Sequence, residues 1–155
     1  MKSHNLRIYR HNVLLKRLIN SLNKKGYKII QEPNIKTKKS FLKLDLIEFN
    51  PKTKLAIILD PSIVATSRDL DLAYRDKVSK YNIPEVRNYV KEKFPKNKEI
   101  VVAGVILDWR GAWAPDSWRV LGELGFSRGY LETLSFIVLK LNHYIWAKVR
   151  RKTEH

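Results

Sequence analysis

The chain has 155 residues, and 31 lysines and arginines against 15 aspartates and glutamates give it a formal net charge of +16. A compact domain with this excess is most favourably placed beside a polyanion, and nucleic acid is the commonest one in cells. The absence of cysteine excludes disulfides and thiolate metal sites, and no apolar run approaches the roughly 20 residues that a membrane-spanning helix needs.

This composition leaves two other interpretations open, a basic protein that is merely soluble and one that touches acidic membranes. We favour nucleic acid as the partner and expect no membrane association. The length fits a single domain over residues 1–155.

In chain order, hydrophobic residues at helical spacing predict a first helix over residues 7–24, and Gly26 is a suitable residue to end it. Three strand-like runs follow, at 27–31, 42–49 and 55–59. The last is continuously apolar, as is typical of a strand buried on both faces. The Asn-Pro-Lys-Thr sequence at 50–53 predicts a turn that joins the last two strands as a hairpin.

The second half of the chain alternates between helical and strand patterns. Helices are predicted at 69–81, 84–94, 116–124 and 129–152, and a strand rich in valine and isoleucine at 100–107. This order predicts an α/β fold in which helices flank one mixed β-sheet.

Two aspartates stand out on the predicted hairpin. Asp45 falls inside the second predicted strand, and Asp60 ends the third. If these strands are neighbours, both carboxylates emerge at one edge of the sheet, where they repel each other unless a cation lies between them. Mg²⁺ or Mn²⁺ is the natural ion for such a site. The alternative is that both aspartates are ordinary turn or edge residues.

Three residues of the following helix extend this pattern. Lys77, Lys80 and Tyr81 have the i, i+3, i+4 spacing of one helix face. A lysine near the metal would stabilise negative charge on a phosphoryl group or orient an attacking water. The alternative is a solvated basic face.

Six short runs, taken in their order and spacing over about residues 10–125, resemble one nuclease family. They are RHN (10–12), QEPNIKT (31–37), LDL (44–46), ILDPSIV (58–64), LAYRDKVSKY (72–81) and WRGAW (109–113). Together they are similar to the restriction-like endonuclease domain of site-specific non-LTR retrotransposons, within the PD-(D/E)-x-K nuclease superfamily. The resemblance implies a restriction-endonuclease-like core and metal-dependent nicking of target DNA, which exposes a 3′-hydroxyl for reverse transcription of the element's RNA.

The resemblance assigns the two acidic residues of the family to Asp45 and Asp60, and its displaced catalytic lysine to Lys77. Lys80 and Tyr81 match the end of the family's helix motif and are expected to assist. Two departures concern local geometry. Leu44 stands where the family usually has a proline, and Pro61, directly after Asp60, is expected to end the strand.

Glu32 is a further candidate metal ligand, because the superfamily often holds its metal with an additional acidic residue from this region. An exposed strand end is the equally weighted alternative. The resemblance also implies a domain that follows a reverse transcriptase in a larger nuclear polyprotein. We therefore expect an excised domain, with a natural stand-alone protein as the alternative. We further expect little intrinsic sequence specificity, because phosphate contacts carry little sequence information.

Several basic residues are candidates for DNA contact, each with a structural alternative. They are Arg10, His11, Lys36, Lys38, Lys39, Lys43 and Arg110. Trp109 and Trp113 are expected to pack in the core or in a lid, with stacking on an unpaired base as the alternative. The basic cluster at 148–152 is either a nucleic-acid tail or a complement to the helix dipole.

A competing function is a non-catalytic module that binds DNA or RNA on a nuclease scaffold. A third possibility is a junction resolvase of archaeal type. Ser62 argues against it, because such enzymes carry their lysine at this position.

Overall fold

The computed structural model describes the backbone of residues 3–65 and 68–153, and the side chains of the same ranges from residue 5 onward. In chain order its elements are α1 (Ser3–Lys24), β1 (Lys28–Gln31), β2 (Asn34–Lys36), β3 (Phe41–Lys43), β4 (Leu46–Asn50), β5 (Leu55–Val64), α2 (Leu70–Tyr81), α3 (Pro84–Lys93), β6 (Glu99–Asp108), α4 (Pro115–Glu123) and α5 (Arg128–Thr153). None of the helices in the described ranges is both long and apolar enough to cross a membrane.

Four strands form the main sheet in the order β1-β4-β5-β6. The first two pairings are antiparallel, and β5 pairs with β6 in parallel. The predicted α/β fold with a mixed sheet flanked by helices is therefore confirmed, and the arrangement is consistent with a nuclease-like core. The predicted hairpin between β4 and β5 is confirmed as well.

The sheet has a hydrophobic core on each face. On one face, α1, α4 and α5 place leucines such as Leu18, Leu121 and Leu134 against the sheet. On the other face, α2 and α3 pack against it through residues such as Tyr81 and Val86. Because β5 and β6 are covered on both sides, they are apolar at nearly every position, as expected for central strands.

The prediction of one strand over 42–49 was wrong. Strand β3 ends at Lys43, β4 begins at Leu46, and Asp45 lies in the bend between them rather than inside a strand. The break occurs because β3 pairs with β2 in a separate two-stranded hairpin, whereas β4 joins the main sheet. Strand β2 had no periodicity long enough to be recognised.

The prediction that β5 ends after Asp60 was also wrong. The strand continues through Pro61 to Val64, so Asp60 lies in its middle. Pairing with β4 stops at Leu59, whereas pairing with β6 continues to Val64. A strand with one neighbour tolerates a proline, which has no backbone N–H to donate.

The helices agree with the predicted ones to within four residues at each end. Gly26 follows α1 with a φ of 78°, in the left-handed region that favours glycine, so its predicted role in ending the helix is confirmed.

Candidate functional site

The register of β4 and β5 brings the two aspartates together. Leu46 is opposite Leu59, so Asp45 and Asp60 face each other one position beyond the end of this pairing. Their carboxyl groups are close enough for each to shift the pKa of the other. Asp60 is only 2% exposed, whereas Asp45 is half-buried.

Lys77 completes an ion pair with the buried carboxylate. Its Nζ atom lies 3.1 Å from Oδ2 of Asp60, and the lysine side chain is itself half-buried. Helix α2 is oriented by the N-cap residue Asp69, whose carboxylate accepts hydrogen bonds from the backbone N–H groups of Asp71 and Leu72. The cap lies two turns before Lys77, so a local sequence signal helps to set the position of this ammonium group.

His11 also joins the two aspartates, although sequence reasoning assigned it to DNA. Its Nε2 atom lies 3.1 Å from Oδ2 of Asp45. The sequence carries a signal for part of this placement, namely the side of α1 on which His11 lies. His11 precedes Leu14, Leu15 and Leu18 at helical spacing, and these leucines form the buried side of α1.

Protonation in this cluster follows from burial and from the neighbouring charges. Burial and the neighbouring carboxyl of Asp45 raise the pKa of Asp60 to about 6, although the positive charge of Lys77 lowers it. Burial opposes ionisation of Asp45 too, but hydrogen bonds with His11 and Asp60 and the charges of His11 and Lys77 hold its pKa below the usual value. The hydrogen bond with Asp45 outweighs burial and raises the pKa of His11.

Tyr81 and Lys80 have different surroundings, although the predicted helix face contained both. Tyr81 is buried, and burial together with the negative charges of Asp60 and Asp45 raises its pKa. Lys80 is exposed, with its Nζ atom 5.2 Å from the centre of the Tyr81 ring. Its side chain lines a surface cavity with Lys38 and Lys39 of the β2–β3 turn instead of pairing with the aspartates.

The donor set of Asp45 and Asp60 fits a hard divalent cation. Both offer carboxylate oxygens, and the buried Oδ2 atom of Asp60 accepts no well-directed hydrogen bond. Within the described ranges, no three histidine or acidic side chains are grouped closely enough to form a metal site on their own. Mg²⁺ or Mn²⁺ would therefore rely on two carboxylates and fill its other positions with water and phosphate oxygens.

Glu32 is the third predicted ligand, and its backbone is hydrogen-bonded to the backbone of Asp45. Its N–H donates to the carbonyl oxygen of Asp45, and its φ is 48°. Its carboxylate is exposed and lies 3.4 Å from Nζ of Lys43, so the side chain is occupied outside the cluster.

The predicted DNA-contacting lysines lie on the β2–β3 hairpin and its turn, and all are exposed. They are Lys36, Lys38, Lys39 and Lys43. The turn is ordered by hydrogen bonds between Thr37 and Ser40. The hairpin leads directly into Asp45, and its turn lies beside Lys80 at the end of α2.

Arg10 links three parts of the molecule. Its guanidinium donates to Asn142 of α5, and Asn142 in turn donates to the carbonyl oxygen of Trp109. Arg110 is exposed, and its guanidinium lies 5.8 Å from the centre of the Trp109 ring. Trp113 packs against the core, contacts Trp118 edge-on and donates to the carbonyl oxygen of Leu131.

These observations define a class of protein. It is a strongly basic α/β domain whose mixed sheet carries two adjacent carboxylates, one buried, with a lysine from the next helix paired to the buried one.

Comparison with known proteins relates this domain to retrotransposon polyproteins, although no family model matches the sequence. Over 129 residues, 83% of the chain, it is 27% identical to the retrovirus-related Pol polyprotein from the type-2 retrotransposable element R2DM of Drosophila melanogaster. It is 25% identical over 157 residues, 99% of the chain, to the Pol polyprotein from the type-1 retrotransposable element R2 of Nasonia vitripennis. The corresponding polyprotein of Bradysia coprophila is 26% identical over 94% of the chain. The chain spans 12%, 15% and 16% of these relatives, so the similarity concerns one segment of much longer proteins.

Proposed function

We propose that this chain is a metal-dependent endonuclease domain that nicks target DNA for a retrotransposon. The observation that carries the proposal is the convergence of Asp45, Asp60 and Lys77, which come from two strands and a helix. The similarity to R2 Pol polyproteins supports it, as does the net charge of +16. In this proposal the nick exposes a 3′-hydroxyl that primes reverse transcription of the element's RNA by a reverse transcriptase region of the same polypeptide, in the nucleus.

Each residue of the cluster has a distinct part in the proposed reaction. Asp45 and Asp60 hold Mg²⁺ or Mn²⁺, which when bound polarises a phosphodiester and acidifies water. Lys77 stabilises the negative charge that develops on the phosphoryl group, because its ammonium is held by the ion pair with Asp60. His11 orients the Asp45 carboxylate through its 3.1 Å contact.

The surrounding surface holds the substrate. The lysines of the β2–β3 hairpin are exposed and can contact phosphates along the backbone, although Lys43 also pairs with Glu32. Lys80 extends this basic surface through the cavity that it shares with Lys38 and Lys39. Contacts of this kind position DNA and carry little sequence information, so we expect weak intrinsic specificity.

Nicking of supercoiled plasmid in Mg²⁺ or Mn²⁺ tests the proposal. The wild-type chain should convert supercoiled DNA to the open circle, and Asp45→Asn and Asp60→Asn should each abolish nicking. Asp71→Asn is the matched control, because Asp71 is an exposed carboxylate on α2 outside the cluster. Full activity in Asp60→Asn would overturn the assignment.

A second candidate is a module that holds nucleic acid without cutting it. It is favoured by the ion pair between Lys77 and Asp60, which already neutralises one carboxylate without a metal. Calorimetric titration with Mn²⁺ separates the two. The endonuclease requires saturable binding that Asp60→Asn removes, whereas the binding module predicts DNA binding with neither Mn²⁺ uptake nor nicking.

A further inference from the structure

A cleft lined by arginines runs from the carboxylate cluster to Trp109. It consists of two cavities of about 430 and 440 Å³ that share the same central lining, Arg7, Arg10, Ser62 and Ile63. One cavity extends to Arg68 and Trp109, and the other to His11, which contacts Asp45. We call this continuous surface the arginine cleft. Its volume falls in the range of pockets that hold small ligands.

The cleft exists because β5 is longer than its neighbour. Pairing with β4 stops at Leu59, so no strand of the described ranges pairs with residues 60–64 on that side. The first turns of α1 lie beside this open edge and contribute Arg7 and Arg10. Ser62 of the cleft is two residues from Asp60, which places the cleft next to the proposed cutting site.

The charge of the cleft is suited to an anion. Three arginines line it, and none of the described lining residues is acidic. The Nε atom of Arg10 is buried and has no hydrogen-bond partner among the described residues, and burial together with the charge of Arg7 lowers the pKa of this guanidinium. A phosphate bound beside Arg7 would relieve the repulsion between these two guanidinium groups. Arg68 also forms an ion pair with Asp76, at 3.3 Å. Because this pair is exposed, it competes only weakly with a phosphate for the arginine.

Trp109 gives the far end of the cleft a different chemistry. Its side chain is 37% exposed, although tryptophan side chains are highly buried on average. An exposed indole is a platform on which a nucleic-acid base can stack, but only a base that has left the duplex can reach it. Arg110, 5.8 Å from the ring centre, adds positive charge beside this platform.

We propose that the arginine cleft binds one unpaired nucleotide next to the cut, with Arg7 and Arg68 on its phosphate and Trp109 on its base. The preferred substrate is then DNA with a flipped, bulged or locally melted nucleotide. This inference rests on the proposed endonuclease function and names its substrate class. It is tested by binding without cutting, so the two proposals can fail separately.

Fluorescence polarisation in metal-free buffer compares two duplexes that differ only by one unpaired thymidine. The wild-type chain should bind the bulged duplex about tenfold more tightly, within the range expected for one base stacked on an aromatic ring. Replacing the unpaired thymidine by an abasic nucleotide should abolish this preference without any change in the protein. Equal affinity for all three duplexes would overturn the proposal.

Variants assign the preference to the cleft. Trp109→Ala should remove it, whereas Trp146→Ala, at an exposed tryptophan of α5 that does not line the cleft, should retain it. The double change Arg7→Ala with Arg68→Ala should weaken binding of the bulged duplex and reduce its salt dependence by about one counterion, and Arg128→Ala should not. A preference that survives Trp109→Ala would place the unpaired base elsewhere and overturn the assignment. If the chain prefers the bulged duplex but does not nick plasmid, the proposal for the cleft is supported and the endonuclease proposal is wrong.

Discussion

At the residue scale, Lys77 and Lys80 lie one helical turn apart and have different surroundings. Lys77 is half-buried and paired with Asp60, whereas Lys80 is exposed beside the basic hairpin. We predict that Lys77→Ala lowers the single-turnover nicking rate by about 10²- to 10³-fold, the usual cost of removing one group that stabilises transition-state charge. Lys80→Ala should weaken DNA binding and leave the rate at saturating protein nearly unchanged. Equal loss of rate in both variants would contradict separate roles.

Glu48 is a buried carboxylate whose charge the fold does not accommodate. It is 1% exposed, and its Oε2 atom has no hydrogen-bond partner in the part of the chain that the structure describes. Burial raises its pKa to about 7, although the positive charge of Lys25 lowers it. Because the pKa is higher in the folded than in the unfolded chain, the protonated form favours folding. This stabilisation is complete below about pH 4.5 and is lost as the pH rises through 7.

Glu48→Gln should therefore stabilise the fold at alkaline pH. We expect a free energy of unfolding higher than wild type by about 1–3 kcal/mol at pH 8.5, and little difference at pH 4.5. Urea denaturation at the two pH values measures it. Glu123→Gln, at an exposed glutamate of α4, is the control and should show no such dependence on pH. A gain for Glu48→Gln that is the same at both pH values would refute the explanation.

At the scale of elements, helix α2 presents Lys77 to the sheet, and its first turn depends on one side chain. The Asp69 carboxylate accepts the backbone N–H groups of Asp71 and Leu72. We predict that Asp69→Ala lowers the free energy of unfolding by about 1 kcal/mol, the typical value for loss of an N-cap. Asp69→Asn should retain most of it, because asparagine caps helices equally well.

Thermal or urea denaturation of the two variants checks this prediction. Asp71→Ala is a suitable comparison, because its carboxylate lies in the first turn of α2 without forming the cap. Its loss should be smaller, through the helix dipole alone. A larger loss for Asp71→Ala than for Asp69→Ala would show that the cap does not set the start of the helix.

Strand predictions succeeded or failed according to which neighbour controlled the strand. The apolar run of β5 predicts a central strand, and the turn at 50–53 predicts its pairing with β4. Its extension past Pro61 was missed, because a proline normally ends a strand that is paired on both sides. In the described ranges it is β6 that carries β5 to Val64, and its paired residues, such as Val64 and Asp108, lie 108 − 64 = 44 positions apart.

At the scale of the whole molecule, we expect DNA binding to depend on where the positive charges lie and not only on the net charge of +16. The β2–β3 hairpin flanks the carboxylates, whereas another group of exposed lysines lies toward the opposite end of the sheet, where β6 begins. The members of that second group are Lys91, Lys93, Lys96 and Lys98. Each group contains four lysines. A comparison of variants in the two groups therefore distinguishes a local contact of DNA with the hairpin from a general electrostatic attraction.

We predict that changing Lys36, Lys38, Lys39 and Lys43 together to glutamine makes DNA binding less dependent on salt. The slope of log K against log salt should fall in magnitude by about 2–4, since each neutralised phosphate contributes about 0.9. The same change in the second group should reduce the slope much less. Titrations between 50 and 200 mM salt measure both. Equal effects would mean that the DNA does not follow the hairpin.

The sequence by itself determined the charge, the helices, the central strands, the β4–β5 hairpin and the residues Asp45, Asp60 and Lys77 as a candidate set. These follow from composition, from hydrophobic periodicity and from spacings that one hairpin and one helix impose. Only the tertiary structure decided that His11 contacts Asp45, that Lys80 lies with the hairpin and that three arginines line a cleft beside Asp60. The first and third depend on how α1 packs against β5, and the second on how the hairpin packs beside α2 and α3. Such contacts join residues far apart in the chain, and no local spacing encodes them.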